Sequence, residues 1–259
     1  MKTIYEKLVK ILESYLTERE INSVIIGFED SPEFFVSAAL CKEVCGKLHI
    51  PLYGVEDIAS DFSYGKVFCD FTIKPEDILG DTGHNITARC ANIIFPQINS
   101  VESRGIFENT FIDRFKMSLI KSISTILDGN SIIVDLENKT EHYLDPRKSH
   151  GELGIVGGLY QNQVDKLFDY IKNDYKERKE TYLYEEFINN PITRESTEQI
   201  DELLHYLVKG DANEKYQGKQ YSEEEVSDIM LKLKRSKVQR NYSKLKVIDC
   251  ILSRVIDND

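Results

Sequence analysis

Residues 23–48 constrain the fold of this chain more than any other stretch. Ser23-Val24-Ile25-Ile26 is a short run rich in β-branched residues, broken by Gly27, which is the pattern of a buried strand. Ser31 then offers an N-cap, Pro32 suits the first helical position, and Glu33 suits the first turn. Phe34, Phe35, Ala38, Ala39 and Cys41 to Cys45 carry a mostly apolar helix to about Leu48. Strand, glycine turn and capped helix is the unit from which α/β proteins build anion sites. Backbone N–H groups and the positive helix end face the ligand there. The same unit also serves as a plain strand-to-helix connection, and local chemistry alone leaves both readings open.

The rest of the chain extends the alternation. Ile4, Leu8, Ile11, Leu12, Tyr15 and Leu16 recur at helical spacing over 2–19. Strands are expected at 22–27, 50–55, 67–72 and 131–135, with a glycine-rich turn at 154–158. The second and third strands are separated only by Glu56 to Gly65, too short for a full crossover helix. A long helix spans Thr110 to Leu127, with Phe111, Phe115, Leu119, Ile123 and Ile126 on one side. Helical turns are expected near 75–79 and 86–95, and helices over 161–172, 197–208, 222–238 and 244–256, with a polar loop at 209–220. This order predicts an α/β fold: a three-layer, doubly wound, mainly parallel sheet with a helical C-terminal part, residues 1–259 forming one domain.

Charge and cysteine usage exclude several functions. A net charge of −11 argues against non-specific nucleic-acid binding, and the basic run Lys232 to Lys246 reads as a solvated helix face or a phosphate-facing end of the chain. No apolar stretch approaches the ~20 residues of a membrane span. The N-terminus Met1-Lys2-Thr3-Ile4 begins an amphipathic helix and lacks a secretory apolar region, so the expected compartment is the cytoplasm. Cys41, Cys45, Cys69, Cys90 and Cys250 are odd in number and scattered, which fits reduced thiols. Cys41 and Cys45 read as small buried hydrophobes, and the five histidines form no zinc spacing.

Gly27-Phe28-Glu29-Asp30-Ser31 resembles the Ser-Gly-Gly-x-Asp-Ser loop of the ATP pyrophosphatases, and the order of motifs along the chain resembles the NAD synthetase family. Phe28 stands at the family's second glycine and Ile26 at its serine. On that alignment the Phe28 side chain is expected to take room that the family gives to phosphate. Asn138-Lys139-Thr140-Glu141, after the strand ending at Asp135, is similar to the family's Asn-Lys-Ser-Glu; Asp135 and Leu136 replace its Gly-Thr. The family's Asn-x-x-Ala-Arg-x-Arg-Met helix is matched by Asn85 to Arg89 or by Asp113 to Met117; the second lies directly before the strand, which favours Arg114 over Arg89. Gly157 to Val164 resembles the family's Leu-x-Lys-x-Gln-Val helix start with Gln161 at the lysine, and Lys234 to Arg240 resembles its Ser-Glu-His-Lys-Arg segment with Val238 and Gln239 at the His and Lys.

The resemblance implies an adenine nucleotide alpha hydrolase-like fold and an ATP-dependent, ammonia-using amide ligase acting on a small-molecule carboxylate or dinucleotide. It implies ATP held by Gly27, Asp30, Ser31, Arg114 and Lys139, and Mg²⁺ held by Asp30 and Glu141. It also implies a homodimer, formed through residues 110–127. The replaced groups imply an alternative: a catalytically inactive paralogue serving as a binding or regulatory subunit.

Overall fold

The computed structural model describes residues 1–56, 65–74, 101–127, 129–144, 151–190, 197–209 and 221–240, with side chains of the long central helix from Arg114 onward. Helix α1 (Lys2–Glu18) buries Tyr5, Leu8, Val9, Leu12 and Leu16, the stripe its spacing dictates. Strand β1 (Ser23–Gly27) leads to α2 (Pro32–Leu48), where the Ser31 Oγ accepts from Phe34 N at 3.3 Å as the N-cap. Strand β2 (Leu52–Val55), a 3₁₀ turn (Lys66–Phe68) and β3 (Phe71–Ile73) follow. Then come α3 (Val101–Ile126), β4 (Ser131–Asp135), α4 (Lys139–Leu144), β5 (Leu153–Gly154), α5 (Gln161–Glu177), α6 (Thr181–Asn189), α7 (Glu198–Lys209) and α8 (Glu223–Arg240).

All five strands are parallel, in the order β3-β2-β1-β4-β5. Chain order runs outward from β1 through β2 to β3, then returns to β1's other side with β4. The direction of winding therefore reverses between β1 and β4. That is the switch point where open parallel sheets bind ligands outside their carboxyl ends.

Strand alternation assigns the layers. Val24, Ile26, Ile132 and Val134 face one side, packed with α1, α2, α5 and α6 around Phe34, Phe35, Phe68, Phe168 and Phe187. Ile25, Ile133 and Val55 face the other, under Leu119, Ile120 and Ile123 of α3. Strands buried on both faces read as continuous β-branched runs, and β1 and β4 do. Helices α7 and α8 close on α4 and Tyr160 as a smaller cluster with Leu203, Leu204 and Ile229. No described helix is long and apolar enough to cross a membrane.

Several elements differ from the sequence expectation. The third strand begins at Phe71, because Lys66–Phe68 turns tightly to bury Phe68 against Phe35 and Phe187. Asp70 closes that turn, accepting from Leu52 N at 2.9 Å. Helix α3 starts at Val101, ahead of the expected Thr110, and α5 continues past Lys172 to Glu177. Strand β5 and helix α6 were not expected: β5 is two residues held by register with Val134 and Asp135, and α6 is anchored mainly by Leu183 and Phe187. The turns expected near 75–79 and 86–95, Arg89, the loop at 210–220 and the helix at 244–256 lie outside the described residues.

Candidate functional site

The turn after β1 and the turn after β4 meet at the carboxyl edge of the sheet. Their meeting point is a buried polar junction. The Asn138 Nδ2 donates to the Glu33 Oε1 at 2.8 Å and to the Gln161 Oε1 at 2.8 Å; the Gln161 Nε2 donates to the same Glu33 oxygen at 2.9 Å. Glu33 lies in the first turn of α2, Asn138 caps α4, and Gln161 opens α5. These three side chains are 1%, 0% and 5% exposed, so they tie three helix starts together away from water.

A second set of bonds extends the junction toward α7. The Thr140 Oγ1 donates to the Asp201 Oδ1 at 2.6 Å and accepts from Gln161 N at 2.9 Å. The other Asp201 oxygen accepts from Asn162 N at 2.8 Å and from the Thr197 hydroxyl at 2.9 Å. Asp135, at the end of β4, accepts from Glu137 N at 2.8 Å and Gly151 N at 2.6 Å, which shapes the turn into β5.

Asp30 is exposed and Ser31 half-buried at the start of α2. The Lys139 ammonium lies 4.6 Å over the Tyr160 ring. The half-buried Glu141 forms a capping box with Asn138: its carboxylate accepts from Asn138 N at 3.2 Å, and its own N–H donates to Asn138 Oδ1 at 3.0 Å. The cap therefore already engages the carboxylate read as a metal ligand. Arg114 is exposed on α3. Among the described residues, no three or more His, Cys, Asp or Glu side chains converge as a metal site.

Two positions correct the sequence reading. The Phe28 side chain is part of the core. Its side chain is 2% exposed, with its ring 5.3 Å from that of Phe34. A Cβ built on Gly54 would lie 2.3 Å from its Cε1, so the ring is packed tightly on β2. Apolar burial wins at a position where alignment alone suggested an obstruction. The second is Lys116, which the sequence reading passed over. Its ammonium donates to the Phe28 carbonyl, and a Cβ on Gly27 would stand 3.2 Å from its Cε and 3.0 Å from Ile120 Cδ1. Gly27 thus has a packing reason to be glycine. The signal for Lys116 was its spacing, i and i+4 with Ile120, which places it on the sheet-facing stripe of α3.

A separate cleft of about 160 Å³ lies between α7 and α8, with Leu144, Leu203, Ile229 and Tyr221 among its walls. Ser236 pins α8 to α4 by donating to the Tyr143 carbonyl.

Fold and switch point define a doubly wound α/β protein whose winding reverses between β1 and β4. No protein-family model and no curated protein sequence matches the chain. Solved structures do, and they give the fold of the NAD synthetases. The chain is similar to an NH3-dependent NAD synthetase from Campylobacter jejuni, with 16% identity, a TM-score of 0.64, and 93% of this chain and 96% of that one covered. An NMN synthetase from Francisella tularensis aligns at 14% identity and TM-score 0.61, covering 93% of this chain and 96% of that one. A glutamine-dependent NAD(+) synthetase from Cytophaga hutchinsonii aligns at 10% identity and TM-score 0.69, covering 94% of this chain and 50% of that one.

Proposed function

We propose that this chain, taken as one domain of residues 1–259, is an ATP-dependent, ammonia-using amide ligase of the NAD synthetase type. One observation carries the reading. The Glu33–Asn138 bond joins the turn bearing Asp30 and Ser31 to the turn bearing Lys139 and Glu141, across the switch point of the sheet. The substrate is a small-molecule carboxylate or dinucleotide. Its carboxylate oxygen attacks the α-phosphorus of ATP and pyrophosphate leaves. Ammonia then attacks the acyl carbon of the adenylate, loses a proton, and AMP leaves.

The protein's part is positioning and charge. The α2 N-terminus at Ser31 presents N–H groups to the phosphates, and Lys139 lies on the opposite turn; Arg114 reaches the ligand from α3. Asp30 and Glu141 supply hard oxygens of the kind that hold Mg²⁺, which needs one or two carboxylates beside phosphate oxygens. When bound, that ion neutralises phosphate charge. We infer a cytoplasmic homodimer from the sequence reading and the resemblance.

One observation favours the non-catalytic alternative, a binding or regulatory subunit. Gln161, at the position where the resembled family carries a lysine, is neutral, buried and engaged with Glu33 and Asn138. The two readings separate in one assay: the chain is incubated with ATP, Mg²⁺, ammonium and nicotinate adenine dinucleotide or other carboxylates. Release of AMP and pyrophosphate, dependent on the acceptor, supports the ligase. Binding of nucleotide without AMP release supports the subunit.

A further inference from the structure

The cleft between α7 and α8 has Leu144, Ile200, Leu203, Tyr221 and Ile229 among its walls, with Glu225, Asp228 and Lys232 on its α8 side. Beside it, Ile200 on α7 and Met230 and Leu231 on α8 are exposed. Single exposed apolar residues are ordinary, but several around one apolar cleft mark a docking face. Residues 241–259 follow α8 and lie outside the described residues. Their sequence carries the complementary pattern. Leu245, Ile248, Leu252 and Val255 recur at i, i+3, i+7 and i+10, with Ile251 and Ile256 alongside, which is one stripe of a helix. Ser243 suits the N-cap of that helix.

We propose that residues 244–256 fold back along α8 as an amphipathic helix and seat this stripe in the cleft between α7 and α8. The lengths match. Asn241-Tyr242-Ser243 is a connection of the kind that joins antiparallel helices. A helix over 244–256 measures about 20 Å, and α8 from Arg240 back to Asp228, in the cleft wall, measures about 18 Å. Charge favours the same antiparallel course. α8 is acidic at its start, with Glu223 to Glu225 and Asp228, and basic from Lys232 onward. On folding back, Asp249 comes level with Lys234 and Arg254 with Asp228, opposite charges in both cases. The short tether holds this segment at an effective concentration that a second copy at micromolar level does not reach. In its seat the segment lies against Leu144, the last residue of α4, and braces the helix that begins with Lys139.

The test is photo-crosslinking in the full chain, with p-benzoylphenylalanine in place of Leu252 on the stripe or, as a control, in place of Cys250 on the opposite side of the same helix. Crosslinked peptides are mapped by mass spectrometry. The probe at 252 should join residues 199–204 or 225–233 of its own chain, and the probe at 250 should join neither. Absence of those crosslinks from 252, or equal crosslinking from both positions, overturns the inference. Crosslinks found only in a product of twice the chain mass also overturn it, because a second copy then occupies the cleft. Hydrogen exchange supplies an independent measurement. In Leu252→Asp and in a chain ending at Ser243, peptides covering 199–204 and 225–233 should exchange about tenfold faster than in the full chain, while Cys250→Ser leaves them unchanged. Unchanged exchange in Leu252→Asp overturns the inference even if the shortened chain fails to fold. None of these outcomes depends on nucleotide binding, so the inference and the ligase reading stand or fall separately.

Discussion

Replacing Phe28 tests how the β1–α2 turn is built. The ring is 2% exposed and contacts Phe34, and its edge occupies the space a side chain at Gly54 would need. Phe28→Ala removes a buried aromatic and leaves a cavity, a cost of about 3–5 kcal/mol. At roughly 2–4 °C per kcal/mol for a chain near this size, the melting temperature falls by about 6–20 °C. Gly54→Ala in the wild type is also unfavourable, by about 1–3 kcal/mol, because the new Cβ meets ring carbons at 2.3 and 2.7 Å. In the Phe28→Ala background that obstruction is gone, and of the three nearest atoms Cys69 Sγ at 2.8 Å remains. The double variant is therefore more stable than the sum of the singles predicts, by about 1–2 kcal/mol. Urea unfolding of the four proteins measures this coupling. Additive losses, or a Phe28→Ala protein as stable as wild type that binds ATP more tightly, would refute the packing argument and restore Phe28 to the ligand site.

Three further outcomes follow from the same structure. Asp201→Ala leaves the Thr140 and Thr197 hydroxyls and the Asn162 N–H without their acceptor, and loses about 3 kcal/mol or more in denaturant unfolding; a loss under ~1 kcal/mol would contradict the junction. Burial pushes the Cys45 and Cys69 thiols up to about 12, and the Cys41 thiol up as well. The folded protein keeps protons that the unfolded chain releases above about pH 8.5, so stability is full below that pH and falls steadily above it. Cys69→Ala should lessen that alkaline slope, an unchanged slope counting against it. The proposed homodimer predicts light scattering at twice 29.9 kDa; since Leu119, Ile120 and Ile123 are spent on the sheet, its contacts must come from residues such as Ile126, 76% exposed. A mass of 29.9 kDa at micromolar concentration would end that proposal.

The parts of the fold legible in the sequence are those with local causes. The cap at Ser31, the β-branched runs of β1 and β4, and the apolar stripe of α1 each announce themselves within a few residues; of the stripe expected on α3, Leu119 and Ile123 are buried, but Ile126 is exposed and Ile120 takes its place on the sheet. Strand β5 has no such signal, since two residues acquire strand geometry only from pairing with Val134 and Asp135. The polar junction was invisible for a related reason. Glu33 read as a first-turn acid and Asn138 as a turn residue, both local roles they also play. Their bond spans 105 positions of sequence, and nothing short-range encodes it. Phe28 was misplaced because alignment to a glycine loop says which atom is added but not where it points. Lys116 was overlooked beside Arg114, although its helical phase with Ile120 marks it as sheet-facing.

Hydrogen exchange with and without Mg²⁺–ATP addresses the central claim most directly, that the turns after β1 and β4 form one nucleotide site. A ligand that binds only the native state slows local opening where it is held. The account predicts new protection confined to peptides covering 27–34, 114–118 and 136–142, with the cleft between α7 and α8 unchanged. Protection at that cleft instead, or none at either turn at saturating nucleotide, would contradict it.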